Sequence, residues 1–385
     1  MACYTPFVTV FLLDKKVDLI TIGTILAANS LISILAQPGW GMVSDRVRSV
    51  KRIFMTCLAT SAFLLLFLPF FHSTLVFALI LALTTLFVSP LMPLMDNWVV
   101  QGIKNRPRGG YGTYRLWGSI GYAIMVIIMG KVLSILPVSA TFFVFGAIAI
   151  LTMFLCAGIP NPGGPSVGVA APSGNDASSK STFSFLLRSY PYVTFVVLSC
   201  LFNISTVSLS SYLPKLIQVI GGNNTFYGVA VALGAMSEVP VFFFSIRLIR
   251  RYKPLAVIIT AFVFYIIRLG IYSLFASPAA VLVAQCLQGL SYGLFLTGSL
   301  YYMDLLAPKG TKATAVTLGS ALYGGVSGIV GNYVGGRIIE NHGIMLVYRI
   351  GVVTCTVVLV LFLLSLLYGR NARKRESELV SAESL

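Results

Sequence analysis

Apolar residues in this chain come in long unbroken runs separated by short polar connections. The runs cover approximately residues 20–43, 53–71, 74–100, 114–136, 138–158, 189–219, 225–249, 254–275, 279–306, 313–339 and 344–368. About 20 apolar residues are needed to cross the hydrocarbon of a bilayer as a helix, so each run predicts one membrane-spanning helix. Residues 2–13 form a shorter run at the front that would reach only ~18 Å as a helix. The expectation there is a first span cut short at its start, giving twelve helices with the first one truncated.

The connections divide the chain. Residues 159–186 are rich in Pro, Gly, Ser and Ala, a composition that forms a flexible linker and no core. The expected organisation is a six-helix bundle over 1–158, the linker over 159–186, a second six-helix bundle over 187–369, and a polar tail over 370–385. Two bundles of similar length around a midplane site are an arrangement of secondary transporters. A twelve-helix channel or membrane enzyme is the competing reading.

Composition strengthens the membrane assignment. Hydrophobic residues make up 57% of the chain, charged residues 10%, and mean hydropathy is +0.91. A soluble domain carries about 25% charged residues, so this chain cannot cover a water-facing surface. The net charge of +16 changes meaning once its distribution is seen. On alternating connections, 20 of the 27 Lys and Arg fall on one side and five on the other, with Arg268 and Arg349 inside spans. That is a sidedness signal which places the basic connections, the linker and both termini in the cytoplasm. It points to a multi-pass protein of the cell membrane, of the bacterial inner or plasma membrane type, with lipid and a small-molecule substrate as partners and no nucleic acid. A monomer is expected.

Cys57, Cys156, Cys200, Cys286 and Cys355 lie inside apolar runs and read as small buried residues. No Cys-x-x-Cys pair occurs, and His72 and His342 lie in separate short connections. No metal site and no cofactor is therefore expected, and the coupling ion would be a proton. A membrane enzyme would need a nucleophile with its base, or a metal cluster, at one depth.

Charges within spans carry the chemistry, because each costs at least about 2.5–3.5 kcal/mol to keep there. Asp96 lies late in the fourth span, Arg115 opens the fifth, Glu238 is mid-way along the eighth and Arg268 mid-way along the ninth. Glu238 and Arg268 are each about 14 residues into their spans, or ~21 Å of helix, and can meet near the midplane. Helix-to-helix pairing alone would also explain them. A titrating carboxyl alternately open to either side could couple protons to transport, with Glu238 the first choice and Asp96 the second.

The second span ends Gly39-Trp40-Gly41-Met42-Val43-Ser44-Asp45-Arg46-Val47-Arg48, followed by Lys51 and Arg52. An acid beside a helix end can pair with a neighbouring helix terminus and latch the cytoplasmic face. This resembles the loop signature of the major facilitator superfamily, carried here by Gly41, Asp45, Arg46, Lys51 and Arg52, with Arg48 where that family has a second Gly.

A closer resemblance covers nearly the whole chain. Tyr111-Gly112-Thr113-Tyr114-Arg115-Leu116-Trp117-Gly118-Ser119-Ile120-Gly121-Tyr122 is similar to the fifth-helix signature of the lactose permease type of sugar/proton symporter. The Arg-Leu-Trp-Gly-Ser wording is nearest the phenylpropionate permease-like branch. The resemblance implies that Arg115 and Tyr122 contact substrate, that the helix-four acid falls on Asp96 or Asn97, and that Glu238 and Arg268 serve substrate recognition and proton coupling. It implies a substrate-contact role for Gln288 too, which stands where that family has His. Ser291 stands where it has its proton-carrying carboxylate, and the helix-seven acids are absent. The implied activity is secondary transport of a sugar, nucleoside or aromatic acid by alternating access, with proton symport. A proton-independent facilitator or exporter is the alternative.

Overall fold

The computed structural model describes residues 1–47, 49–104, 111–159, 189–307 and 312–382. A helix lies on every predicted run. They are α1 (Val8–Asp14), α2 (Leu19–Val47), α3 (Val50–Phe67), α4 (Thr74–Val88), α5 (Leu91–Lys104), α6 (Tyr111–Val132), α7 (Ala140–Ala157), α8 (Tyr190–Ser211) and α9 (Leu213–Val219). They continue with α10 (Asn224–Leu274), α11 (Pro278–Cys286), α12 (Leu294–Leu306), α13 (Lys312–Ala321), α14 (Ser327–His342) and α15 (Ile344–Ala382). Among the described residues nine helical stretches are long and apolar enough to cross a membrane, and Thr5–Asp14 and Trp117–Val132 are shorter apolar helices.

Capping follows the sequence. Asp18, Ser49, Asn223 and Ser277 accept hydrogen bonds from the backbone N–H three residues on, that of Thr21, Arg52, Phe226 and Ala280, which satisfies donors a helix leaves orphaned at its start. α10 breaks at Lys253, whose φ is 63°. The residue before a proline is sterically pushed out of the helical region, and Pro254 follows. The predicted fourth and seventh runs are each split, at Ser89–Pro90 and at Tyr212. The tenth and eleventh contain π-helical segments, Gly289–Gly293 and Leu322–Val326.

Two aromatic clusters lie on opposite sides of the linker in sequence. Phe11 meets Phe77 and Phe142 at 5.5 and 4.9 Å, and Phe202 meets Phe262 and Phe295 at 4.2 and 5.4 Å. Large apolar side chains such as Leu79, Phe154 and Val353 stay exposed, as lipid-facing residues do.

The helices meet at one end and part at the other. At the meeting end α2 crosses α14 so closely that a Cβ on Gly23 would lie 2.5 Å from the Asn332 carbonyl oxygen, and α6 crosses α10 where a Cβ on Gly130 would lie 3.0 Å from Gly228 Cα. Bare glycine faces permit such approach. Hydrogen bonds tie the same end. The Leu19 N–H donates to Glu340 Oε2 at 2.9 Å, Asn224 Nδ2 to the Leu133 carbonyl at 3.1 Å, Thr225 Oγ1 to the Gly130 carbonyl at 3.2 Å and the Tyr227 hydroxyl to the Pro6 carbonyl at 2.8 Å. At the opposite end, where the basic connections attach, Cβ atoms on Gly39, Gly41 and Gly118 would meet nothing within 4 Å. Trp117 is 68% exposed there.

Candidate functional site

Three of the five substrate and coupling candidates with described side chains, Glu238, Arg268 and Gln288, converge on α10, α11 and the π segment after it. Arg268, on the second arm of α10, is 3% exposed. Its Nη2 donates to Gln285 Oε1 at 2.8 Å and to Gln288 Oε1 at 2.7 Å. Gln288 Nε2 donates in turn to Glu238 Oε1 at 2.7 Å, from the first arm of α10. The acid and the base do approach each other at mid-depth, but an amide stands between them in this chain of hydrogen bonds. Burying a cation is costly unless strong acceptors meet it; two glutamine carbonyls meet Nη2 here, while the buried Nε has no hydrogen-bond partner among the described residues. The Arg268 guanidinium also lies 6.0 Å from the Tyr272 ring centroid.

The helices carrying this chain are fastened to each other beside it. The Ser237 hydroxyl donates to the Gly234 carbonyl at 2.6 Å and reaches the Gln285 carbonyl at 3.3 Å, and it accepts the Gly289 N–H at 2.9 Å. A π segment opens at Gly289, so this N–H leaves the ordinary i to i−4 ladder, and the serine receives it. A side chain at Gly289 has no room, since its Cβ would fall 1.9 Å from the Ser237 carbonyl oxygen.

Tyr122 approaches the same place from α6. It is half-buried and within electrostatic reach of Glu238, and the α6–α10 crossing at Gly130 and Gly228 sets that approach. Asp96 lies elsewhere. It lies late in its span on α5 (Leu91–Lys104), whereas Glu238 is mid-way along the first arm of α10, so Asp96 is near the basic end. Arg48 lies outside the described residues, as do the side chains of Asp45, Asn97 and Arg115. Residues 160–188, which include all of the expected linker over 159–186 but its first residue, lie outside them too.

Of the loop signature, Arg46 and Arg52 are exposed and Gly41 faces open space. Lys51 is positioned. Its Nζ donates to the Ala157 and Ile159 carbonyls at 2.8 and 2.6 Å, satisfying acceptors orphaned at the end of α7 and matching the negative end of that helix.

Sequence reasoning named Glu238, Arg268 and Gln288 but passed over Gln285, Gly234 and Ser237. Two glutamines three residues apart in an apolar run share one helix face, and that was the available signal. The cysteines need correction. Cys57 and Cys355 are buried, Cys156 and Cys200 half-buried, but Cys286 is exposed, turned about 100° around α11 from buried Gln285. Among the described residues, no group of three or more His, Cys, Asp and Glu is arranged to hold a metal ion.

Comparison with known proteins agrees with this picture. Residues 1–350 match the MFS_1 like family. The maltose permease of Geobacillus stearothermophilus is 28% identical over 362 residues, which cover 94% of this chain and 89% of that protein. The probable 3-phenylpropionic acid transporter of Escherichia coli is 25% identical over 291 residues, covering 74% and 73%. Among solved structures, the nucleoside transporter NupG superposes with a TM-score of 0.81 at 14% identity, over 95% of each chain, a likeness of fold.

Proposed function

The chain belongs to the MFS_1 like family and is a membrane transporter of the major facilitator type, and we propose that it carries a small hydroxyl-bearing solute, a sugar foremost, in symport with a proton. The observation that carries this reading is the hydrogen-bonded chain from Arg268 through Gln288 to Glu238, at mid-depth and beside Tyr122. Amide, guanidinium and carboxylate groups together offer the paired donors and acceptors that vicinal hydroxyls need. The sugar class is further supported by the maltose permease relative, while the other comparisons keep nucleosides and aromatic acids in the test panel.

With the basic connections in the cytoplasm, the meeting end faces outward and the conformation is open to the inside. Alternating access then requires the crossings at Gly23 and Gly228 to part while the basic end closes. Glu238 is the proton carrier in this scheme. Half-buried beside a hydrogen-bond donor, it changes its exposure to water as the ends exchange, and that change is what allows a carboxyl to bind a proton on one side and release it on the other. Arg115 is assigned to substrate contact, Asp96 to the inner mouth, and Gly41, Asp45, Arg46, Lys51 and Arg52 to the cytoplasmic latch.

Purified protein in proteoliposomes tests this with radiolabelled maltose, uridine and 3-phenylpropionate, with and without an inside-alkaline gradient. We expect gradient-driven accumulation of maltose in the wild type. Glu238→Gln should lose accumulation and keep counterflow, and Arg115→Ala should lose binding. Equilibration without gradient-driven accumulation in the wild type would make the protein a facilitator, and undiminished accumulation by Glu238→Gln would remove Glu238 from coupling.

A further inference from the structure

The Arg268 guanidinium nitrogen Nη2 is shared by two carbonyls, Gln285 Oε1 at 2.8 Å and Gln288 Oε1 at 2.7 Å. Sharing one donor fixes both amides with their oxygens toward Arg268. A flipped Gln288 would set its NH₂ against the guanidinium, donor against donor, and would take Nε2 away from Glu238 Oε1. The orientation of the amide that meets Glu238 is therefore set by Arg268, and the orientation of Arg268 by the residue whose amide oxygen shares the same Nη2. That residue is Gln285, 1% exposed and held through its own carbonyl by Ser237.

The two amide oxygens need space to converge, and Gly234 provides it. A Cβ there would lie 2.7 Å from Gln288 Oε1 and 2.9 Å from Gln285 Oε1. Both are ends of flexible side chains, so a methyl group would displace the amides and leave the backbone in place. Nothing else in the transport scheme requires a glycine at this position. Gly270, two residues from Arg268, contrasts with it, since its Cβ would meet nothing within 4 Å.

We infer that Gln285 is a positioning residue for the transport site and that Gly234 is the gap which admits it, the two together holding Arg268 and Gln288 so that Gln288 presents its NH₂ to Glu238. This rests on the proposed coupling role of Glu238, and it adds Gln285 from α11 and Gly234, which lies one helical turn before Glu238 on α10. Among the described residues, the charged and titratable groups around Glu238 include Arg268 and Tyr265 from the second arm of α10 and Tyr122 from α6, with Tyr292 beyond Tyr265.

Infrared difference spectroscopy of the purified protein in lipid reads this geometry without a transport substrate. The Glu238 band is the one that Glu238→Gln removes. In Gly234→Ala and in Gln285→Met, which keeps the volume and loses the acceptor, the band should shift in frequency and its pH midpoint should move by about one unit or more. Unfolding temperature reports whether each variant is folded, and Gly270→Ala should match the wild type throughout. A wild-type band and midpoint in either folded variant would overturn the assignment, as would an equal shift in Gly270→Ala. Failure of the coupling role looks different. A wild-type Glu238 band that does not titrate would remove Glu238 from coupling, and the carboxylate stretch would still carry the geometric test.

Discussion

Gly228→Ala is a direct test of the closed end. A Cβ at Gly228 would sit 2.7 Å from the Val126 carbonyl oxygen and 3.0 Å from Gly130 Cα. Both are backbone atoms, so no rotamer change relieves the overlap, and α6 and α10 have to separate by ~0.7 Å to reach ordinary contact. Overpacking of this kind costs about 1–3 kcal/mol. The penalty applies only while the two helices touch, so it falls on the conformation described here and spares the one in which this end is open. An alternating transporter should therefore shift toward the second state by about 5- to 150-fold. Leu133, 4% exposed at the same end, reports the shift when replaced by Cys in a background without other cysteines. Its maleimide labelling rate follows the open population when opening and closing are fast, and should rise within that range in Gly228→Ala. Gly118→Ala, with nothing within 4 Å of its Cβ, should label like the parent. An unchanged rate in Gly228→Ala, or an equal rise in Gly118→Ala, would refute the reasoning.

Ser237→Ala should leave the Gly289 N–H without its acceptor at a buried position, a loss of about 1–3 kcal/mol that would appear as a lower unfolding temperature of the protein in detergent; an unchanged temperature would mean that the π segment is held by other contacts. Asp18 gives a pH signature outside the membrane. Its carboxyl is held below the usual value of 3.8 by the hydrogen bond from the Thr21 N–H. A depressed folded-state value means that the stabilisation is present above that pH and is lost as pH falls through the lowered value. Asp18→Asn, which keeps the cap and removes the titration, should flatten the acid limb of unfolding temperature against pH, and an unaltered limb would assign it to other carboxyls.

Glu238 and Arg268 were legible because charge inside a span is expensive enough to stand out against any number of leucines, and helical rise then sets their depth. Their connection through Gln288 was not. It depends on two amides turning toward one guanidinium, which requires knowing that Gly234 faces Gln285 and Gln288 across the α10–α11 contact. Gly289 and Ser237 are hidden for the same reason, since a missing side chain acquires meaning only from the carbonyl that takes its place. The breaks at Pro90 and Pro254 could have been anticipated from proline sterics, whereas the π segments could not, because they depend on what an adjacent helix offers a displaced N–H. The exposure of Cys286 likewise follows from which face of α11 has a neighbour.

The sequence by itself determined that the chain lives in lipid, where its helices run and how deep its charges lie, because a bilayer permits little besides apolar helices and penalises each charge individually. The tertiary structure alone decided which end of the molecule is shut, which glycines are crossings and which amide meets which charge. Those outcomes rest on contacts between residues hundreds of positions apart, such as Leu19 with Glu340. No local pattern encodes such pairs, since the partner becomes identifiable only once the helices are packed.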